Sequence, residues 1–87
     1  MKANDSYLVK LMKTTDRLET EYHQAKREFG DAIISLHNTA LHTAEHEQAK
    51  QNYYAAWKRK DKASAKLNKA YDELNEFVIN NRKANTN

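Results

Sequence analysis

The stretch AKQNYYAAWKRKDKASAKLNKAYDELNEFVINN, residues 49–81, decides the fold of this 87-residue chain. Positions taken alternately four and three residues apart are apolar or aromatic, with one exception at Lys60. This heptad spacing is typical of a long helix that packs one stripe of its surface against another helix. The stripe, called here the second seam, consists of Ala49, Tyr53, Ala56, Lys60, Ala63, Leu67, Ala70, Leu74 and Phe77.

The first half of the chain supplies an opposing stripe with the same spacing. Small alanines recur in the second seam, and small residues let two helix backbones approach closely. The opposing stripe carries larger groups that fill the space beside those alanines. This first seam consists of Leu8, Leu11, Thr15, Leu18, Tyr22, Ala25, Phe29, Ala32 and Leu36.

The segment HNTALHTAEHEQ, residues 37–48, is predicted to hold the turn between the two helices. It contains Asn and Thr, which are poorer helix formers, and it divides the chain into arms of similar length. Gly30 is the competing turn position, but the first seam stays in phase across it, which favours a glycine inside a helix. The alternative is a three-helix arrangement with breaks at Gly30 and near His46.

Composition supports an all-α, single-domain chain, a long antiparallel helical hairpin of the coiled-coil type. Proline is absent, there is one glycine, and 31% of residues are charged. Cysteine is absent, so no disulfide forms. The sequence shows no signal peptide and no apolar run long enough for a membrane span, so we expect a cytoplasmic protein. Residues 1–5 and 80–87 are predicted to be frayed or disordered.

The apolar surface of the second helix is wider than one partner helix can cover. Tyr53, Tyr54, Trp57 and Tyr71 broaden the stripe, and Trp57 lies at its edge because it follows the seam residue Ala56. This surplus predicts that the hairpin associates with itself into a helical bundle or docks onto another protein. Tyr53, Tyr54 and Trp57 are therefore candidate partner-binding residues.

Positive charge is concentrated in residues 50–69, which hold seven Lys/Arg and one acid, although the whole chain carries only +3. Such a stripe can meet an acidic protein surface, nucleic-acid phosphates or anionic lipid headgroups. A solvated helix face is the simpler explanation. The candidate binding lysines, at helical spacing, are Lys58, Lys62, Lys66 and Lys69.

One motif with metal chemistry occurs, His42-Thr43-Ala44-Glu45-His46, which matches the inverted zincin pattern H-x-x-E-H. Two histidines four apart on a helix can bind zinc together, but such an enzyme needs a further ligand and a substrate cleft. We expect neither in this chain, nor do we find a catalytic triad or a phosphate loop. The prediction is no catalytic residue, no metal, no cofactor and no small-molecule substrate.

Residues 46–75, HEQAKQNYYAAWKRKDKASAKLNKAYDELN, resemble a helix of the F-BAR family in their alanine-lysine, tyrosine and basic-rich pattern. The resemblance implies a curved helical dimer that binds anionic membranes through lysines such as Lys58, Lys62 and Lys66. It covers about a third of the chain, and a complete F-BAR domain is several times longer.

Taken together, these patterns predict a small non-enzymatic protein–protein interaction module that acts through its helical seams as an adaptor, inhibitor, chaperone or assembly factor. A homodimer or a complex with another protein is expected. The alternative is binding of nucleic acid or an anionic membrane through the basic stripe in residues 50–69.

Overall fold

The chain folds into two long antiparallel helices. The computed structural model describes the backbone of residues 3–85 and the side chains of residues 6–82. Helix α1 spans Ala3–His37, helix α2 spans Ala44–Asn85, and residues 38–43 form the loop between them. The hairpin measures 67 × 20 × 13 Å. The predicted all-α helical hairpin is therefore confirmed.

The turn lies within the predicted segment, and the alternatives placed at Gly30 are wrong. Helix α1 continues through Gly30 without interruption, so the chain has two helices over the described residues and not three. A Cβ atom built on Gly30 would have no side-chain or distant backbone atom within 4 Å. Because nothing crowds this position, the glycine is tolerated in the helix and is not required by it.

We expect Gly30→Ala to raise the free energy of unfolding by about 1 kcal/mol, because alanine loses less backbone entropy than glycine on forming a helix. Urea unfolding followed by circular dichroism measures the change. Ala55→Gly, at an exposed position of α2, is the matched control and should lower the free energy by a similar amount. A Gly30→Ala variant less stable than the parent chain would contradict a continuous α1.

Side chains of the loop satisfy the backbone groups at both helix ends. Thr43 caps α2, because its Oγ1 accepts a hydrogen bond of 3.1 Å from the backbone N–H of His46. Thr39 Oγ1 donates to the Leu36 carbonyl at the end of α1 at 3.0 Å and lies 3.0 Å from His46 Nδ1. With the Thr39 hydroxyl proton on the Leu36 carbonyl, this contact requires the His46 tautomer that carries its proton on Nδ1. His42, within the loop, adopts a positive φ of 67°, which is uncommon for a residue other than glycine.

Both predicted seams form the contact between the helices. Every one of their eighteen positions is buried or half-buried, and Ala56 is only 2% exposed. The buried members are Leu11, Thr15, Leu18, Ala25, Ala49, Ala56, Leu67 and Ala70. The polar Thr15 is satisfied by its own helix, because its hydroxyl donates to the Leu11 carbonyl at 2.8 Å.

The contact between the helices combines large-on-small and large-on-large packing, whereas the seam composition predicts mainly large groups of α1 against small groups of α2. Leu18 packs with Leu67 and Ala70, and Tyr22 covers this cluster. Towards the loop, the Phe29 ring lies 5.3 Å from the ring of Tyr53.

Lys60, the one charged member of the second seam, is accommodated by an aromatic contact. Its ammonium group sits 4.7 Å from the centroid of the Phe29 ring. The aliphatic part of a lysine can lie along an apolar surface, and the ring face attracts the charge.

At the other end of the hairpin, the rings of Tyr7 and Phe77 lie 5.1 Å apart and hold the two helices together there.

The predicted frayed ends lie partly inside the helices. Residues 3–5 belong to α1 and residues 80–85 belong to α2, while residues 1, 2, 86 and 87 are outside the described residues. Fraying of these ends in solution stays a prediction.

Candidate interaction surface

One broad side of the hairpin, called here the Trp57 face, is built from two rows of residues at heptad spacing. The two rows are aligned by a hydrogen bond that the Tyr71 hydroxyl donates to a carboxylate oxygen of Glu19. The helices are antiparallel, so counting seven residues from Glu19 along α1 and seven from Tyr71 in the opposite direction along α2 reaches two residues at the same height in the hairpin. The row of α1 is Met12, Glu19, Lys26 and Ile33, and the row of α2 is Val78, Tyr71, Ser64 and Trp57.

The Trp57 face exposes large apolar side chains at both of its ends. Met12 is 51% exposed, Trp57 44%, Val78 39% and Tyr71 38%. Tyr54 lies one helical turn before Trp57 and is also exposed. Clustered exposure of this kind marks an interaction surface more often than scattered apolar residues do. Three of the four residues predicted to widen the stripe of α2, namely Tyr54, Trp57 and Tyr71, are thus exposed on this side.

We expect Tyr71 to ionise at a higher pH than an ordinary tyrosine. The hydrogen bond to Glu19, partial desolvation and the negative charges of Glu19 and Asp16 raise the pKa of Tyr71 above its ordinary value of 10.0. The pKa of Tyr71 is higher in the folded chain than in the unfolded chain. Its contribution to folding stability is therefore fully present below the unfolded pKa and is lost as the pH rises through the folded pKa. An ultraviolet absorbance titration of the parent chain and Tyr71→Phe isolates this group.

Glu19→Gln is the matched variant for that titration, because it keeps an acceptor for the Tyr71 hydroxyl and removes the charge. The pKa of Tyr71 should then fall towards its ordinary value. The difference between the titration curves of the parent chain and Tyr71→Phe gives the titration of Tyr71 alone. If that difference shows the ordinary pKa of a tyrosine, Tyr71 does not donate to Glu19 in solution.

The opposite broad side, called here the Lys66 face, is charged. Two open grooves run along it, of about 460 and 340 Å³, and Glu21 and Lys66 line both. Arg59 Nε lies 3.6 Å from a carboxylate oxygen of Glu28, and both side chains are exposed. An exposed pair of this kind contributes between about 0 and 1 kcal/mol. Acids of α1 therefore face bases of α2 across the first groove, whereas both helices contribute an acid and a base to the second.

The structure divides the predicted partner-binding residues among four places. Tyr53 lies in the seam against Phe29. Tyr54 and Trp57 belong to one side, whereas Lys62 and Lys66 line the first groove of the Lys66 face. Each helical residue turns by about 100°, so Trp57 and the groove residue Arg59 project about 160° apart.

The other two candidate lysines lie in different places. Lys69 lines the second groove, and Lys58 is exposed on the outer side of α2. Sequence reasoning missed Met12, Glu19 and Lys26 as members of the Trp57 face, of which Glu19 contacts Tyr71. The signal for the α2 row was available, because residues 57, 64, 71 and 78 recur every seven positions.

The two histidines of the H-x-x-E-H motif do not share a helix face. His42 lies in the loop with its positive φ, and α2 begins only at Ala44. His46 directs Nδ1 at Thr39 Oγ1. Among residues 3–85, no group of three or more His, Asp or Glu side chains is placed to hold a metal ion.

Neither described helix is long and apolar enough to cross a membrane. Comparison with models of protein families, with curated proteins and with solved structures finds no match to this chain.

Proposed function

We propose that this chain is a small non-enzymatic protein–protein interaction module that binds its partner through the Trp57 face. It acts as an adaptor, inhibitor, chaperone or assembly factor, and it forms a homodimer, a helical bundle with another protein, or both. Coiled-coil packing of the two seams holds the hairpin rigid for that purpose. A cytoplasmic location remains a prediction of the sequence.

The observation that carries the proposal is the exposure of Met12, Trp57 and Val78 on one side of the hairpin. The buried residues are few and several of them are alanines, so the internal core is thin. A small chain gains stability when it covers such apolar side chains with a partner. Tryptophan and tyrosine are also the residues that contribute most to binding energy at protein interfaces.

The proposed absence of enzymatic activity is supported by the shape of the molecule. The two grooves are open to solvent, and the charged groups that line them lie on exposed helix surfaces. Catalytic side chains normally converge in a cleft and have shifted pKa values. The pKa of Tyr71 is raised, but the main cause is its hydrogen bond to Glu19 on an open face.

Sedimentation analysis over a range of concentrations tests the proposal. The parent chain should change from a monomer to a larger species as its concentration rises. Trp57→Lys should weaken that association by on the order of tenfold or more, because it places a charge in an apolar contact. Ile34→Lys is the matched control, since Ile34 is exposed on the outer side of α1, away from the face.

Circular dichroism confirms that each variant remains folded. The proposal is contradicted if the parent chain stays monomeric at every concentration and also captures no protein in a manner that depends on Trp57. Equal weakening by Ile34→Lys and Trp57→Lys would also contradict it, because the effect would then not belong to this face.

An alternative function is the binding of nucleic acid or an anionic membrane through residues 50–69. It is supported by the exposure of Lys58, Lys62 and Lys66 and by the F-BAR resemblance of residues 46–75. Against it, the acids Glu21 and Glu28 line the same groove as Lys62 and Lys66, and opposite charges weaken an electrostatic site.

Salt titrations of binding to DNA, RNA and anionic vesicles test this alternative. Electrostatic binding weakens steeply as salt rises. Changing Lys58, Lys62 and Lys66 to glutamine should abolish it, and binding that survives all three substitutions would eliminate the basic stripe as its cause.

A further inference from the structure

We infer that the partner of the Trp57 face is a second copy of this chain, packed face to face and antiparallel about a two-fold axis. The inference rests on the proposed function and specifies its partner and geometry. It follows from the order of residues along the face. When a second copy is turned end for end, each apolar layer meets an apolar layer and each charged layer meets one of opposite charge.

The face consists of four layers, each with one residue from each helix. The heptad steps that start from the Glu19–Tyr71 hydrogen bond define them. The first layer, nearest the loop, is Ile33 with Trp57, and the second is Lys26 with Ser64. The third is Glu19 with Tyr71. The fourth is Met12 with Val78.

The outer layers are apolar and the inner layers carry opposite charges. A two-fold axis between the second and third layers places Ile33 and Trp57 of one copy on Met12 and Val78 of the other. It also places Lys26 of each copy on Glu19 of the other, so two ion pairs form at the centre. A two-fold interface uses the same patch on both copies, and this patch is self-complementary in that arrangement.

Other pairings of the same two faces leave charges or apolar groups unmatched. In a two-fold parallel stack, α1 of each copy lies on α2 of the other, so Glu19 meets Tyr71 and Lys26 meets Ser64. Neither charge then meets an opposite charge, and like charges of the two copies share a layer. A shift by one layer places an apolar layer on a charged one. A polar centre inside an apolar interface is a known device for fixing register and orientation.

The size of the face suits a stable dimer. The broad side of the hairpin measures 67 × 20 Å, which exceeds the roughly 800 Å² per partner of a standard interface. Tyr71 already donates to Glu19, which orients that carboxylate within the face. Four helices would then surround the Trp57 side chains, while both Lys66 faces remain exposed.

Charge reversal at the two inner layers tests the register. Glu19→Lys and Lys26→Glu each create like-charge contacts, so each should raise the dimer dissociation constant by on the order of tenfold. The double variant Glu19→Lys with Lys26→Glu restores both ion pairs and should return the constant to within about threefold of the parent value. Arg27→Glu reverses an exposed charge beside the face and is the matched control.

A distance between the two loops tests the orientation. Leu41 is exposed in the loop, and the chain has no native cysteine, so Leu41→Cys accepts one spin label. In the antiparallel dimer the end of α1 at His37 lies about 15 residues from the axis, so labels beyond it should be more than about 40 Å apart at 1.5 Å per residue. A parallel dimer brings the two loops together and gives a much shorter distance.

The outcomes separate the two proposals. A dimer with neighbouring loops, or a double variant as weak as the single ones, overturns the antiparallel arrangement and leaves the interaction module standing. A parent chain that stays monomeric but captures another protein through Trp57 overturns the second copy as the partner. A monomer with no partner of that kind overturns both proposals.

Discussion

Leu67→Ala is expected to lower the free energy of unfolding by about 2–3 kcal/mol, near the lower end of the range for buried leucines. Leu67 is buried against Leu18 and Ala70, with Tyr22 covering the contact. The seam is only one layer thick, so Tyr22 and solvent can partly fill the space that the substitution opens. The loss is still a large fraction of the roughly 5–15 kcal/mol typical of a whole domain.

Urea unfolding at a fixed protein concentration measures this effect, because self-association adds a concentration-dependent contribution. Leu41→Ala is the matched control. Leu41 is 71% exposed in the loop, so its truncation should change the free energy by less than about 0.5 kcal/mol. Equal stability of Leu67→Ala and the parent chain would show that the seam around Leu67 is not formed in solution.

Ala56→Leu is expected to destabilise the hairpin by about 1–3 kcal/mol, although leucine is more apolar than alanine. Ala56 is 2% exposed and lies between Tyr53 and Lys60 along the second seam. Both of these neighbours contact the Phe29 ring, so the added carbon atoms have no free volume beside that ring. The helices must separate locally, which weakens the two aromatic contacts.

Ala55→Leu provides the matched control for that substitution. It adds the same atoms to the same helix at an exposed position, and alanine and leucine have similar helix propensities. Its stability should stay within about 0.5 kcal/mol of the parent chain. If Ala56→Leu proved as stable as Ala55→Leu, close approach of the helices at Ala56 would be contradicted. A stabilised Ala56→Leu would contradict it more strongly.

The sequence carried enough information for the hairpin itself. The spacing of Leu18, Phe29, Ala56 and Leu67 identified residues that are buried or half-buried in the structure. The phase of the first seam across Gly30 predicted that α1 continues there, and it does. Heptad periodicity is a local property, so it can be obtained from one helix at a time.

The loop chemistry was harder to predict from the sequence. The segment 37–48 contained the turn, but the cap of α2 by Thr43 and the contact between Thr39 and His46 depend on the path of residues 38–43. The positive φ of His42 is set by that same path. Low helix propensity identified the segment where the helical pattern is interrupted. The hydrogen bonds that form in the loop depend on its three-dimensional path.

For the candidate interaction surface too, some features followed from the sequence and others only from the tertiary structure. The sequence alone determined the helices, their seams, the turn region and the heptad row that contains Trp57 and Tyr71, because each follows from the period of a helix. Only the tertiary structure decided that Glu19 of α1 lies beside Tyr71 and that Glu28 lies beside Arg59. These pairings depend on the register of one helix against the other, which the packing of the two seams against each other fixes.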